Sequence, residues 1–254
     1  MAVEFVKSAE RTARLLEALA DSPVPLSPSE LHDRTGYPRS SLHALLRTLR
    51  ALGWVEADES GSSFTVGPRA LLVGTSYLDR DQALPYAYPV MEQLRAELGH
   101  TIHYARRDAA HVLYLGSRER KDSVRLIPRV GRRLPAHVTA LGQALLAELT
   151  PAEIDDLLPK DLVGYTPNTL TDRAALTGEL DAVRARGWAA EREQGTPGIA
   201  CVAVAIGYRI PASDAISCSL PVDHPDAEDL EHVAQTLVRH STALGLDLRR
   251  AGVR

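Results

Sequence analysis

Leu42, Leu45, Leu46, Leu49 and Leu52 recur at the i, i+3, i+4, i+7 spacing of a helix with one buried face. At about 100° per residue, the opposite face of that helix carries Ser40, His43, Ala44, Arg47 and Arg50. No Asp or Glu occurs from Arg34 to Val55. A leucine back with a basic, hydroxylic, acid-free front suits the major groove of DNA, although alone it also describes a solvated surface helix. The flanking pattern narrows the choice. Val6, Ala9, Ala13, Leu16 and Leu19 predict a first helix over Val6–Ala20, closed by Asp21-Ser22-Pro23. In LSPSELHDRTG, Ser27 is placed as an N-cap, Pro28 at the first helical position and Glu30 where a capping box needs it. Gly36-Tyr37-Pro38 makes the turn into the leucine-backed helix, so helix, tight turn and polar-faced helix follow one another. After Gly53, WVEADESGSSFTVG predicts two short strands about a Ser/Gly turn, a wing. Asp58 and Glu59 near its tip should repel phosphate, leaving Ser60, Ser62 and Ser63 for any contact with DNA.

The remaining pattern alternates between helix and strand periods. PRALLVGTSYLDRD (residues 68–81) predicts a helix weakened at Gly74, or a plain linker. Leu84 to Gly99 predicts a helix with Val90, Leu94 and Leu98 on one face. HTIHYARRDAAHVLYLGSRE predicts a hairpin broken at Arg106 to Ala110, and VRLIPRVG a short strand. A helix capped by Thr139 follows, then helices in TPAEIDDLLP and in TLTDRAALTGELDAVRARG, which ends at Gly187. RGWAAEREQGTPGIACVAVAI is read as strand, irregular Gly/Pro loop and apolar strand, ISCSLPVD as a strand, and AEDLEHVAQTLVRHSTALGLDL as a closing amphipathic helix. The second half is therefore α+β.

Composition adds limits. At 254 residues the chain is long enough for two modest domains, and a net charge of −4 confines any nucleic-acid contact to a local patch. The N-terminal residues hold no apolar core of signal-peptide length and no run approaches a membrane span, so a soluble cytoplasmic protein is expected. Two cysteines, Cys201 and Cys218, lie in apolar strands away from any CxxC pattern. A thiol–imidazole pair drawn from them and His137 or His103 is the enzymatic alternative. No hydrolase, Walker or dinucleotide fingerprint appears, and His100 with His103 gives only a faint hint of metal, so neither metal nor cofactor is expected. A ligand pocket fits the residues better. The helix start near Thr139 to Leu141 offers N–H groups to a carboxylate, with small Ala140 and Gly142 letting a ligand approach. Ser217 and Ser219, two apart on a strand, send both hydroxyls from one face; the alternative is the solvent side of an edge strand.

Together VKSAERTARLLEALA, LSPSELHDRTGYPRSSLHALLRTLRALGWVE and FTVGPRALLVG resemble the amino-terminal domain of the IclR family of bacterial transcription regulators. LPAHVTALGQALLA, RGWAAEREQGTPGIACVAVAI and ISCSLP are similar to that family's effector-binding domain. The resemblance implies a multidomain chain: an α-rich winged helix-turn-helix over residues 1–67, a protomer-pairing linker helix over 68–82, and a GAF-like α+β effector-binding domain over 83–254. It puts Arg39, Ser40, Ser41, His43, Ala44 and Arg47 at DNA-facing positions, to which the helical face adds Arg50. It carries the family's effector pocket onto Ala140, Leu141, Glu191, Cys201, Ser217 and Ser219, with Leu134 and Ile199 as apolar wall. A dimer or tetramer on a palindromic double-stranded operator, answering to a small organic or aromatic acid, is the implied function. Three departures stand out: Ala44 where Arg is frequent, Glu191 and Glu193 split by Arg192, and Leu220 where Gly usually follows the second serine.

Overall fold

The computed structural model describes residues 5–120, 130–227 and 229–253. The chain divides into two compact units, Met1–Arg80 and Asp81–Arg254.

The first unit runs α1 (Lys7–Ala20), α2 (Pro28–Thr35), α3 (Arg39–Ala51), β1 (Val55–Ala57), β2 (Phe64–Val66) and α4 (Pro68–Asp79). Ser27 caps α2 in a complete capping box: its hydroxyl accepts from the Glu30 N–H, and the Glu30 carboxylate accepts from the Ser27 N–H at 2.7 Å. Gly36 ends α2 at φ 69°, a left-handed position that glycine adopts without strain, and α3 begins three residues later. Leu15, Leu19, Leu31, Leu42, Leu46 and Leu49 pack with Leu26, Val55 and Phe64 into one core. Two predicted stripes shift. α1 buries Leu15 and Leu19, while Val6, Ala9 and Ala13 are exposed. Leu52 lies outside α3 as its C-cap and is also exposed. The wing hairpin gains a third partner, because Leu26 exchanges both backbone hydrogen bonds with Phe64. Gly67 permits the next step: a Cβ there would sit 2.5 Å from the Gly53 carbonyl oxygen. The helix predicted from Pro68 runs unbroken through Gly74 and buries none of its residues.

In the second unit α5 (Leu84–Leu98) leads to β3 (Thr101–Asp108), β4 (His111–Arg118) and β5 (Arg133–Pro135). Next come α6 (Ala140–Leu146), α7 (Pro151–Leu157), α8 (Arg173–Arg186), β6 (Ala189–Arg192), β7 (Ile199–Ala205), β8 (Asp214–Pro221) and α9 (Leu230–Arg250). The strands form one antiparallel sheet in the order β5-β4-β3-β8-β7-β6. Ala105, Ala203 and Ala215 on one face join the core made with α6, α7 and α8. α5 and α9 pack together over the other face, where the missing side chain of Gly116 makes room for Met91 and Tyr88. The buried stripe of α5 is Leu84, Ala87, Met91 and Leu94, with the predicted Val90 and Leu98 only half-buried at its flank. The predicted break at Arg106 is absent, and β3 continues to Asp108 before a turn at Ala109-Ala110. The strand predicted over residues 124–131 falls largely outside the described residues; its last two form a turn.

Arg106 belongs inside β3 because its partner is on the neighbouring strand. Its Nε and Nη2 donate to the two carboxylate oxygens of Asp214 at 2.6 and 2.7 Å, and its Nη1 reaches Asp81. The Tyr104 and Tyr208 hydroxyls also donate to Asp214, at 2.6 Å from Tyr208. Asp81 in turn accepts from the Ala83 and Leu84 N–H groups that open α5. Burial alone would raise the Asp214 pKa. The Arg106 hydrogen bonds and charge, with the two tyrosines, outweigh it and hold the carboxyl below its ordinary 3.8. The same burial and the adjacent carboxylate push Tyr208 up to about 12.

Asp214→Asn should therefore take from Arg106 its two-pronged carboxylate, leaving it Asp81, and cost about 3 kcal/mol, a fall of about 6–12 °C in the melting temperature of a unit this size. A folded-state pKa lower than the unfolded one stabilises above the unfolded value and loses that contribution as pH falls through the folded one. The gap between wild type and Asp214→Asn should stay constant from neutral pH down to about pH 5 and close below about pH 4. Denaturant titrations across that range check it; a gap independent of pH would refute the charged network.

Candidate DNA-reading surface and effector pocket

α3 presents the predicted front to solvent. Arg39, Ser40, His43, Ala44, Arg47 and Arg50 are all exposed, while Leu42, Leu46 and Leu49 hold the back. Ser40, His43, Ala44, Arg47 and Arg50 also line an open groove of ≈ 710 Å³ that runs from the helix to Phe64 at the base of the wing. Ser41 departs from the expected set. It is half-buried on the flank, and its hydroxyl accepts from Arg11 of α1 at 3.2 Å. Thr48, exposed one position beyond Arg47, belongs to the same face but ties its hydroxyl to the Ala44 carbonyl.

The wing tip is organised by its acid. Asp58 accepts from the N–H groups of Ser62 and Ser63 at 2.8 and 3.1 Å and from the Ser60 hydroxyl at 2.8 Å. Those bonds, the Ser63 N–H foremost, keep its carboxyl below the usual value. The Ser60 and Ser62 hydroxyls, expected to face DNA, are thus turned onto Asp58 and each other.

In the second unit, all eight residues singled out for a ligand line one pocket: Leu134, Ala140, Leu141, Glu191, Ile199, Cys201, Ser217 and Ser219. Strand register explains the convergence. Glu191 pairs with Cys201 and Cys201 with Ser219, so the three form a row across β6, β7 and β8. Ser217 stands one pleat further along β8, next to His103 of β3. β8 lies between β3 and β7, so its serines are on a central strand and not on an edge. Glu191 is buried and accepts from the Gln194 N–H at 2.7 Å; Cys201 Sγ lies 3.2 Å from the Ser219 hydroxyl. Thr139 caps α6 by accepting from the Gly142 N–H, which leaves the Ala140 and Leu141 N–H groups with no partner inside the helix.

Some details differ from expectation. Gly142 serves chain packing and not ligand approach, since a Cβ there would lie 2.1 Å from the Ala136 carbonyl oxygen. Arg192 is exposed, on the side of β6 opposite to Glu191. Tyr114, Val138, Thr139, Gly195 and Thr196 complete the lining. Tyr114 was within reach of strand alternation, whereas Gly195 and Thr196 sit in an irregular loop whose path no periodicity encodes. The open space is small, ≈ 20 Å³ for the centre of a water molecule, about the room one water needs. Thiol chemistry finds little support. Cys218 is fully buried and burial pushes its pKa up, while His103 Nδ1 meets the Ser117 hydroxyl and His137 Nε2 the Val163 carbonyl.

Comparison with known proteins agrees with this geometry. Residues 8–59 match the model of the IclR helix-turn-helix domain, and residues 75–245 that of the bacterial transcriptional regulator IclR C-terminal domain. The transcriptional repressor AllR of Klebsiella pneumoniae is 31% identical over 243 residues, spanning 93% of this chain and 89% of that protein. A crystal structure of an IclR transcriptional regulator from Alicyclobacillus acidocaldarius superposes with a TM-score of 0.81 at 26% identity, covering 96% of this chain and 99% of the other. An IclR homologue from Microbacterium hydrocarbonoxydans, crystallised with 4-hydroxybenzoate, shares the fold at 24% identity and a TM-score of 0.76, over 96% and 99% of the two chains. No helix among the described residues is long and apolar enough to cross a membrane. A winged helix-turn-helix with an acid-free reading helix, followed by a sheet domain holding a polar pocket, is accounted for by one conclusion: the chain belongs to the IclR family of bacterial transcriptional regulators, ligand-responsive proteins that bind DNA.

Proposed function

We propose that this regulator reads a palindromic operator with the exposed front of α3 and is switched by a small organic acid held between α6 and the sheet. The observation that carries the reading is the row Glu191–Cys201–Ser219, with Ser217 beside it, facing the start of α6 in one pocket. Two hydroxyls and the Ala140 and Leu141 N–H groups suit a carboxylate. The Glu191 carboxylate repels that end of the ligand and accepts from a hydroxyl at the other, so a hydroxy acid, aliphatic or aromatic, fits best. Because the pocket admits about one water, the ligand binds an opened form. That difference in affinity between two forms is what a switch requires. Repression is the mode of action, as in the name of the Klebsiella relative.

On DNA, Arg39, Arg47 and Arg50 supply cations, Ser40 and His43 supply polar contacts, and Ala44 offers only a methyl for apolar contact with thymine. Ser41 supports the helix through Arg11. α4 exposes Leu71, Leu72 and Val73 around its surface, apolar side chains that a second copy of the chain covers in a dimer. Dimerisation then sets half-site spacing, and pairing of dimers gives a tetramer.

Arg47→Ala should weaken retention of the regulator's own operator at least about tenfold with unchanged circular dichroism; equal retention would remove α3 as the reading helix. Ser219→Ala should abolish the rise in melting temperature produced by millimolar hydroxy acids, 4-hydroxybenzoate among them, and leave operator binding intact. A ligand shift that survives in Ser219→Ala places the effector elsewhere. Leu72→Asp should reduce the mass measured by light scattering toward that of one chain, and an unchanged mass would exclude α4 from the interface.

A further inference from the structure

The histidine pair suggested by the sequence does not form: His103, on β3, joins Ser117 on the pocket face, while His100, just before β3, meets residues more than a hundred positions away. We propose that His100, His224 and Asp226 form a binding site for a transition cation of the Zn²⁺ type. His100 follows the Gly99 cap of α5 and is 3% exposed. Its Nε2 lies 2.8 Å from Asp226 Oδ2. The His224 ring stands edge-on to it at 4.5 Å between centroids, with Nδ1 3.7 Å from the same carboxylate oxygen. One ligand atom from each of the three lies within 4.8 Å of the others.

His100 turns Nε2, and not its buried Nδ1, toward the carboxylate, so Nε2 is the atom it offers a cation. Among the described residues, His224 Nδ1 accepts one long bond, 3.2 Å, from the Asp226 N–H, which a cation would displace at little cost. Two imidazoles and one carboxylate are a donor set for Zn²⁺, Co²⁺ or Ni²⁺, and a poor one for Mg²⁺ or Ca²⁺, which take oxygen ligands. The side chains of His224 and Asp226 are 37% and 42% exposed, so water completes the coordination sphere and the ion enters from solvent. Bound there, it ties the junction of α5 and β3 to the segment between β8 and α9, beyond the end of β8 nearer Ser219.

The test uses the full chain, purified without a histidine tag, stripped with chelator and titrated with Co²⁺ followed by visible absorption, then with Zn²⁺ in competition. One equivalent per chain is expected to bind, with the absorption of nitrogen- and oxygen-ligated cobalt. His224→Ala and Asp226→Asn, both at partly exposed positions and so compatible with folding, should each weaken it at least about tenfold while circular dichroism stays unchanged. No saturable equivalent, equal affinity in both variants, or a sulfur-to-cobalt charge-transfer band would each overturn the site.

Discussion

A carboxylate kept charged in the interior sets the register of the second unit. Asp214 opens β8 with no solvent exposure, and such a group persists as an anion only if its oxygens are matched by donors. Arg106 supplies a two-pronged match, and the two tyrosines fill the remaining acceptor positions. Side chains on a strand alternate faces, so a one-residue slip would exchange them all. Locking Arg106 opposite Asp214 therefore also fixes which way Ser217 and Ser219 point. The pocket inherits its geometry from a charge pair on the other side of the same sheet. Since Arg106 also holds Asp81, where the chain enters this unit, the start of α5 is fixed by the same guanidinium.

The same network shows why sequence pattern was informative in some places and silent in others. Ser27, Glu30 and Gly36 act within four residues of their partners, so capping and turn chemistry spelled out the helix-turn-helix before any tertiary contact was known. Thr139 at the start of α6 and Gly187 at the end of α8 are similar. Arg106 is the opposite case. A basic residue in a strand reads as a break until its partner, more than a hundred residues distant, is in place. The apolar stripe of α1 turns for a related reason: alanines fit it as well as leucines do, but burial follows the larger side chains, so Leu19 stays buried and Leu16 packs against the core, while Leu15 is buried in place of Ala9 and Ala13. The pocket was legible through resemblance and strand alternation. Its size was not, because volume depends on how the loop at Gly195 closes on Val138.

That closure shapes the switching mechanism. A pocket already open to its ligand would bind without moving anything, and equal affinity for two forms shifts neither. Here the polar row is in place while the space is not, so on the proposed reading binding energy from the serines and the α6 N–H groups would go partly into opening the wall. The parts available to move are the loop carrying Gly195 and Thr196 and the short edge strand β5 with Leu134, both at the margin of the sheet. The central strands stay pinned by Asp214. A rigid centre with a yielding rim lets a small ligand work on the margin without loss of the fold.

On the DNA side the constraint is charge. The chain is acidic overall, α3 carries three arginines, and the wing's Asp58 is committed to folding its own turn. With three arginines on the reading face, the proposed interface would draw little on non-specific affinity, a term that grows with the number of phosphate contacts. On the proposed reading, specific affinity comes from base edges met by Ser40, His43 and Arg47 and from the fit of Ala44 to a thymine methyl. Two copies of a weak reading head become a strong one only when their spacing matches the operator. In the proposed dimer, recognition would depend on the spacing of the two heads more than on charge, and an effector pocket that altered that spacing would have direct leverage over DNA binding.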